Sequence, residues 1–170
     1  TTVYGNLPDC WTSIIRGNDV PGWTNVSTVD FNSATGIKSV MLDTEYESDS
    51  TDNDVILVSP KLSTLSAGTH RLKFKKYTND GAIMEIGTLD SSSPNGNFSL
   101  WEEVDVTSNY SEIAVDFTSY TGTDTYIGFR YKSGSVIFLD DIRWEVSPLC
   151  PDVIEIEVSS RKSPQARRID

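Results

Sequence analysis

The sequence predicts an all-β protein, a jelly-roll β-sandwich of about ten antiparallel strands. Serine and threonine are abundant while alanine and leucine are scarce, a composition that favours strands over helices. Short apolar segments recur at regular spacing between turn residues, and no segment shows the period of an amphipathic helix. A chain of 170 residues is long enough to bury a core without disulfides or metals.

Ten segments are predicted as strands from their apolar or alternating patterns and from the turn residues between them. In chain order they are Trp11–Ile15, Trp23–Ser27, Ser39–Leu42, Val55–Pro60, His70–Tyr77, Ala82–Leu89, Leu100–Val106, Ser111–Phe117, Thr125–Lys132 and Ser135–Trp144. The segment His70–Tyr77 alternates most clearly, with Leu72 and Phe74 facing inward. Asn79-Asp80-Gly81 then predicts a hairpin turn into the next strand.

The segment Ser135–Trp144 contains a conflict. Its apolar side chains occupy both parities, which is typical of a strand covered on both faces. Two adjacent carboxylates, Asp140 and Asp141, interrupt it, and neighbouring residues of a strand point to opposite faces. At least one carboxylate is therefore expected to point inward, where it needs a cation or several hydrogen-bond donors. A metal ion and a neighbouring loop are both possible sources.

Calcium is the cation that the acidic residues favour. The segment Asp43–Asp54 holds six acidic residues, but Ser48 stands where a helix–loop–helix calcium site needs glycine. We expect Asp43, Asp54 and Asp140 to supply oxygens to one structural calcium ion that ties this loop to the last strand. The alternatives are a solvated acidic loop, and an Asp140 whose carboxylate is satisfied by backbone amides alone.

Charge limits the partners of the chain. A net charge of −11 would repel the phosphates of nucleic acids and of anionic membranes. The sequence also has no apolar run long enough to cross a bilayer. We therefore expect neither nucleic-acid binding nor membrane insertion.

The two cysteines, Cys10 and Cys150, lie near the two ends of the apolar body of the chain. They are expected to form a disulfide in an oxidising compartment, with two unpaired thiols as the alternative. We place one domain at residues 1–150. Residues 151–170 are expected to be a linker or the start of a neighbouring domain, partly disordered or vector-derived.

Catalytic patterns are weak. His70 is the only histidine, and no nucleophile pattern stands beside it. Glu103 and Asp105 have the spacing with which some jelly-roll glycoside hydrolases begin an acidic motif, but Ser108 stands where a third carboxylate would follow. We expect that the chain is not an enzyme.

Five short segments carry a family resemblance. They are Leu7–Thr12, Asn53–Pro60, Glu85–Asp90, Tyr126–Arg130 and Ile137–Ile142. In this order, over residues 7–150, they resemble the cleaved-adhesin and MAM-like domains of secreted bacterial proteins of the Bacteroidetes type. The resemblance implies a jelly roll whose loops are fixed by calcium, in non-catalytic modules of adhesins, surface proteins, proteases and polysaccharide-degrading enzymes. It implies Asp54 and Asp140 as calcium ligands, while Val55 departs from the family pattern, which has tryptophan there.

Two rows of basic residues are unexpected in so acidic a chain. With the tyrosines beside them, the seven residues are Arg71, Lys73, Lys75, Tyr77, Tyr126, Arg130 and Lys132. If their strands share one sheet face, they form a groove in which arginine and aromatic rings could bind an anionic glycan. The alternative is a solvated face on which these cations balance local acids.

Together, these observations predict a carbohydrate-binding, non-catalytic module with a structural calcium ion. We expect it to be monomeric within a larger secreted or cell-surface protein and to bind a polysaccharide or a cell-surface glycan. The alternative is a protein–protein adhesion or spacer domain without a sugar site.

Overall fold

The computed structural model describes residues 4–17, 24–44 and 54–148, and these ranges contain ten strands, one at each predicted position. Trp23, the first residue of the second predicted strand, lies outside the described residues. The strands are β1 (Thr12–Arg16), β2 (Asn25–Val29), β3 (Ser39–Asp43), β4 (Asp54–Val58), β5 (His70–Thr78), β6 (Ala82–Leu89), β7 (Phe98–Val106), β8 (Ser111–Asp116), β9 (Tyr126–Gly134) and β10 (Ile137–Val146). Every observed strand end lies within two residues of the predicted one. A 3₁₀ turn at Leu65–Ala67 is the only helix in the described ranges, which contain no helix able to span a membrane.

The strands form two five-stranded antiparallel sheets that pack face to face. Sheet I has the order β1-β4-β9-β6-β7, and sheet II has the order β2-β3-β10-β5-β8. Most neighbours within a sheet are not consecutive in the chain, and β9 and β10 lie at the centres of the two sheets. This arrangement confirms the predicted jelly-roll β-sandwich.

Alternating side chains of both sheets form the core. Phe129 of sheet I meets Phe74 of sheet II edge to face, with ring centroids 5.2 Å apart. Leu72 and Phe74 are both buried in this cluster, which confirms the alternation predicted for His70–Tyr77, and Met84 and Ile127 are buried with them. Burying one such side chain stabilises the fold by about 1.5–3 kcal/mol, so the core carries most of the stability.

A β-bulge in β10 decides where the two adjacent carboxylates point. Between the pairs Asp140–Lys75 and Arg143–Lys73, β10 has one residue more than β5. Asp141 lies in this bulge with a φ of 49°, in the left-handed region. Because of the extra residue, Asp140 and Asp141 both lie on the outer face of sheet II, beside Lys75. The prediction that one of the two carboxylates points inward is wrong, because strict alternation breaks at the bulge.

Candidate functional site

A loop of residues 30–37 crosses one end of the outer face of sheet II. Asp140 Oδ2 accepts the backbone N–H groups of Ala34 at 2.7 Å and Thr35 at 2.9 Å. Asp141 accepts the Thr35 hydroxyl at 2.6 Å and pairs with Lys75 Nζ at 2.8 Å. The hydrogen bond from Lys75, followed by that from Thr35, holds the pKa of Asp141 below its usual value. Asp140 Oδ1 also accepts the backbone N–H of Asp141 at 2.7 Å, so the donors for both carboxylates come from the neighbouring loop, the bulge itself and a lysine.

An aromatic patch lies beside this loop and is formed by Phe31, Tyr77, Tyr110 and Phe138. Tyr77 and Tyr110 stack with ring centroids 5.1 Å apart, and Phe31 meets Phe138 edge to face at 5.6 Å. Tyr110 donates its hydroxyl to the backbone carbonyl of Asn32. Burial, followed by the charge of a nearby carboxylate, raises the pKa of Tyr110. Phe138 is buried, whereas the other three rings keep part of their surface in contact with solvent.

An ion-pair ladder continues this face beyond the aromatic patch, and β5 supplies most of its cations. The pairs are Arg71–Glu145 at 2.6 Å, Lys73–Glu112 at 2.6 Å, Lys75–Asp141 at 2.8 Å and Arg143–Glu112 at 2.7 Å. The hydrogen bond from Lys73 holds the pKa of Glu112 below its usual value. Because the side chains are partly exposed, each pair contributes little to the stability of the fold. The ladder therefore presents charged donors and acceptors to solvent.

The outer face of sheet I carries a more deeply buried charge network. Arg130 of β9 lies between Asp54 and Glu85, with N–O distances of 3.2 Å and 2.5 Å. Arg16 contacts Asp54 at 2.6 Å, and Lys132 lies 3.6 Å from Glu85. Asp54 and Glu85 are only 5% and 7% exposed, so each carboxylate depends on these cations to offset its lost hydration.

Phe98 closes much of this face. Its ring centroid lies 4.0 Å from the guanidinium carbon of Arg130, a cation–π contact. The ring rests on two glycines, because an added Cβ would approach it to 2.4 Å at Gly87 and to 3.1 Å at Gly128. The ring and the fully buried apolar side chains beside it form a second, smaller core on the outside of sheet I.

The loop of residues 90–97 completes this closure. Arg16 donates to its backbone carbonyls at Pro94, 3.1 Å away, and at Gly96, 3.0 Å away. Asp90 accepts both the backbone N–H and the side-chain amide of Asn97, each at 2.9 Å. The loop is thus fixed at both ends over the outer face of sheet I.

The seven predicted ligand-binding residues do not form one groove. Arg71, Lys73, Lys75 and Tyr77 lie on β5 in sheet II, whereas Tyr126, Arg130 and Lys132 lie on β9 in sheet I. The inward side chains of both strands share one core, so the two rows point to opposite sides of the molecule. All five cations form ion pairs with carboxylates, which agrees with the solvated-face alternative. Whether any of the seven contacts a glycan remains a prediction.

The three predicted calcium ligands are not brought together. Asp54 lies in sheet I between two guanidinium groups, and Asp140 lies in sheet II with its own amide donors. Asp43 ends β3, next to residues 45–53, which lie outside the described residues. Within the described ranges, no three His, Cys, Asp or Glu side chains are grouped to hold a metal ion. These carboxylates do not fit one shared site, and a structural calcium ion remains a prediction.

Cys10 is exposed and its thiol is free. Its predicted partner Cys150 and the segment 151–170 lie outside the described residues. The structure therefore gives no support to the disulfide, and the domain boundary at residue 150 remains a prediction.

Two clefts flank Trp11, and neither is predicted by the basic rows. The larger cleft, of about 510 Å³, lies between the segment 4–7 and the beginnings of β1 and β2, and we call it the edge cleft. The smaller, of about 260 Å³, lies between Trp11 and the bulge of β10, with Lys38 and Asp140 in its wall. A tryptophan at a predicted strand start is the only sequence signal that could have pointed to them.

No protein-family model and no curated protein matches the chain, but solved structures do. The K2 cleaved adhesin domain of Lys-gingipain has a TM-score of 0.63 at 17% identity, over 85% of this chain and 93% of that chain. The K3 cleaved adhesin domain of Lys-gingipain from Porphyromonas gingivalis W83 has a TM-score of 0.59 at 16% identity, over 84% and 97%. A family 11 carbohydrate-binding module from Clostridium thermocellum has a TM-score of 0.58 at 14% identity, over 83% and 91%.

At these identities the likeness concerns the fold, and at that level it confirms the resemblance to cleaved adhesin domains. The same architecture is shared with the carbohydrate-binding module. The chain is a jelly-roll β-sandwich with the fold of the cleaved adhesin domains.

Proposed function

We propose that the chain is a non-catalytic carbohydrate-binding module of a larger secreted or cell-surface protein. A family 11 module of the same fold holds a β-1,3-1,4-mixed-linked tetrasaccharide, and another protein of this fold is a xylan-binding domain from Paenibacillus barcinonensis. One fold hosts many functions, so this likeness supports the proposal without locating the sugar. We propose that the sugar binds on the outer face of sheet II.

The observation that carries the proposal is the position of the aromatic patch beside the ion-pair ladder. Tyr77 and Tyr110 offer half-buried ring surface, on which the C–H face of a sugar can pack. The adjoining ladder presents charged donors and acceptors to sugar hydroxyls. In the described part of the chain, Phe98 and the 90–97 loop cover the outer face of sheet I and leave no comparable aromatic patch open to solvent.

The charge of this face favours a neutral glycan over an anionic one. The ladder and the loop anchor combine the cations Arg71, Lys73, Lys75 and Arg143 with the carboxylates Glu112, Asp140, Asp141 and Glu145. The carboxylate of an anionic glycan would find every cation of this ladder already paired with a carboxylate of the protein. We therefore propose a neutral polysaccharide as the ligand, in place of the anionic glycan expected from the basic rows.

The non-catalytic part of the proposal is supported by the surroundings of the only histidine. The ring of His70 stacks on Trp144 with centroids 5.2 Å apart, and Nδ1 shares a hydrogen bond of 2.8 Å with the Thr69 hydroxyl. These contacts of His70 are packing and hydrogen-bonding contacts within the fold.

Affinity electrophoresis tests the proposal with three neutral polysaccharides, namely mixed-linkage β-glucan, xylan and hydroxyethylcellulose. We expect at least one of them to retard the wild type. Tyr77→Ala should abolish most of the retardation, because it removes one ring of the stacked pair. Tyr126→Ala is the matched control on the opposite sheet and should bind like the wild type. A wild type that migrates freely in all three gels would overturn the proposal.

That outcome would favour the second candidate function, a protein–protein adhesion or spacer domain. One observation supports it: the 30–37 loop carries two exposed apolar side chains, Phe31 and Ile37, and Ile37 is 77% exposed. Large apolar side chains exposed close together are more typical of protein contacts than of sugar contacts.

A further inference from the structure

The loop of residues 90–97 contains the only Asn-Gly pair in the chain, Asn95-Gly96. Asparagine followed by glycine is the sequence most prone to spontaneous deamidation, because glycine has no side chain to hinder attack of its backbone nitrogen on the asparagine side chain. Asn95 is exposed, and its side-chain amide has no hydrogen-bond partner among the described residues. The amide is therefore open to water, and its side chain can rotate.

The fold requires glycine at position 96. Gly96 is buried, and a Cβ added there would run into the backbone carbonyl oxygen of Ser91. Backbone atoms of the same loop cannot move aside as the end of a flexible side chain can. Packing therefore keeps glycine next to an exposed asparagine.

The closed loop protects this pair. A tight turn brings the Gly96 N–H to the Ser93 carbonyl, to which it donates at 2.9 Å. That nitrogen is the atom that must lose its proton and attack, so the turn has to open before the reaction can begin. Arg16 donates to the carbonyls of Pro94 and Gly96, on either side of Asn95, and holds the backbone in this turn.

We infer that Asn95 is a site of spontaneous deamidation whose rate is set by the opening of the 90–97 loop. In the open loop the Gly96 nitrogen loses its proton and bonds to the side-chain carbonyl carbon of Asn95, and the amide group leaves as ammonia. Water then opens the cyclic succinimide at either of its carbonyls, which gives aspartate or isoaspartate. The site lies on the sheet opposite to the proposed glycan face and does not depend on that proposal.

The isoaspartate product would release the loop. Its main chain runs through the former side-chain carbon of residue 95 and is therefore longer at the turn. The carbonyls of Pro94 and Gly96 then no longer match the donors of Arg16. Deamidation would thus remove a clamp that holds the loop over the outer face of sheet I.

Peptide mapping by mass spectrometry follows the conversion of Asn95 during incubation at mildly alkaline pH, well below the melting temperature. A synthetic peptide of residues 89–98 has no folded loop and gives the unprotected rate. We expect the folded wild type to convert several-fold more slowly than the peptide, because only the open fraction reacts. Asp90→Ala, which removes both hydrogen bonds that hold Asn97, should raise the rate in the folded protein several-fold.

Asp116→Ala is the matched control, because Asp116 holds the backbone N–H and the hydroxyl of Thr118 in the same way on another loop. It should leave the conversion rate of Asn95 unchanged. A wild type and an Asp90→Ala variant that both stay intact while the peptide converts would overturn the site. A wild type that converts as fast as the peptide would overturn the protection by the loop, and so would equal rates in the Asp90→Ala and Asp116→Ala variants.

Discussion

The carboxylate of Asp140 accepts the backbone N–H of Ala34 at 2.7 Å, although 106 positions separate the two residues in the chain. The same oxygen accepts the N–H of Thr35 at 2.9 Å. One side chain of β10 thus holds the loop between β2 and β3 in place. Since that loop lies beside the aromatic patch, Asp140 also shapes the face to which we assign glycan binding.

Asp140→Asn should destabilise the domain by about 1–3 kcal/mol, because an amide group turns a donor toward backbone groups that need an acceptor. Urea unfolding at neutral pH measures the change. Asp141→Asn, whose partners are partly exposed, should lower the stability less than Asp140→Asn does. If Asp140 acts only by accepting backbone amides, Asp140→Asn lowers the free energy of unfolding equally in calcium and in EDTA. A loss seen only in calcium would instead support the predicted metal site.

Gly87→Ala should destabilise the domain by about 1–3 kcal/mol, the usual range for overpacking. The added Cβ would lie 2.4 Å from the Phe98 ring and 2.5 Å from the Ser99 carbonyl oxygen, and the latter belongs to the paired backbone. Gly81→Ala is the control, because no atom lies within 4 Å of its Cβ and only its φ of 77° is strained. Thermal unfolding compares the two, and equal melting temperatures would contradict the tight contact.

Lys76→Met should stabilise the domain by about 1 kcal/mol. Lys76 is 6% exposed, and its amine has one hydrogen bond, to the Ser111 hydroxyl at 3.2 Å. Burial lowers the pKa of Lys76, which shows that the folded state disfavours its charge. Lys73→Met, on the outer side of the same strand, breaks the ion pair with Glu112 and should not stabilise the domain. A fall in the urea midpoint of Lys76→Met would show that the buried amine is needed.

Acidification should destabilise the domain through carboxylates of the outer face of sheet II. Hydrogen bonds from Lys75 and Thr35 lower the pKa of Asp141, and a hydrogen bond from Lys73 lowers that of Glu112. Their contribution to stability is complete above the unfolded values of 3.8 and 4.5 and is lost as the pH falls through the lower folded values. Melting temperature measured from pH 6 to pH 2 should fall below about pH 4. Asp141→Asn should make that fall shallower, and an unchanged slope would contradict the assignment.

The positions of the strands could be predicted from sequence because alternation is a local property. The segment Ala82–Leu89 is observed with the predicted ends. The same reasoning could have found Lys76, which lies two residues after the inward Phe74 and is buried as that parity requires. The choice of strand partners could not be predicted, because β5 and β9 have similar alternating sequences and belong to different sheets.

The parts of the site that sequence reasoning missed depend on breaks in regular geometry. Asp141 lies on the outer face of sheet II, contrary to strict alternation, because β10 has a bulge against β5. No local sequence pattern predicts that extra residue. Phe98 covers the outer face of sheet I because two mid-strand glycines leave room for its ring. Glycine inside a strand is a recognised sign of such a close approach, so Gly87 and Gly128 were the available clue.

The central place of β9 and β10 has a consequence for how the chain is made. Without them, sheet I separates into the ribbons β1-β4 and β6-β7, and sheet II into β2-β3 and β5-β8. Isolated two-stranded ribbons are at best marginally stable in water. A nascent chain that emerges from its N-terminus therefore cannot reach this structure until β10, which ends at Val146, has left the ribosome.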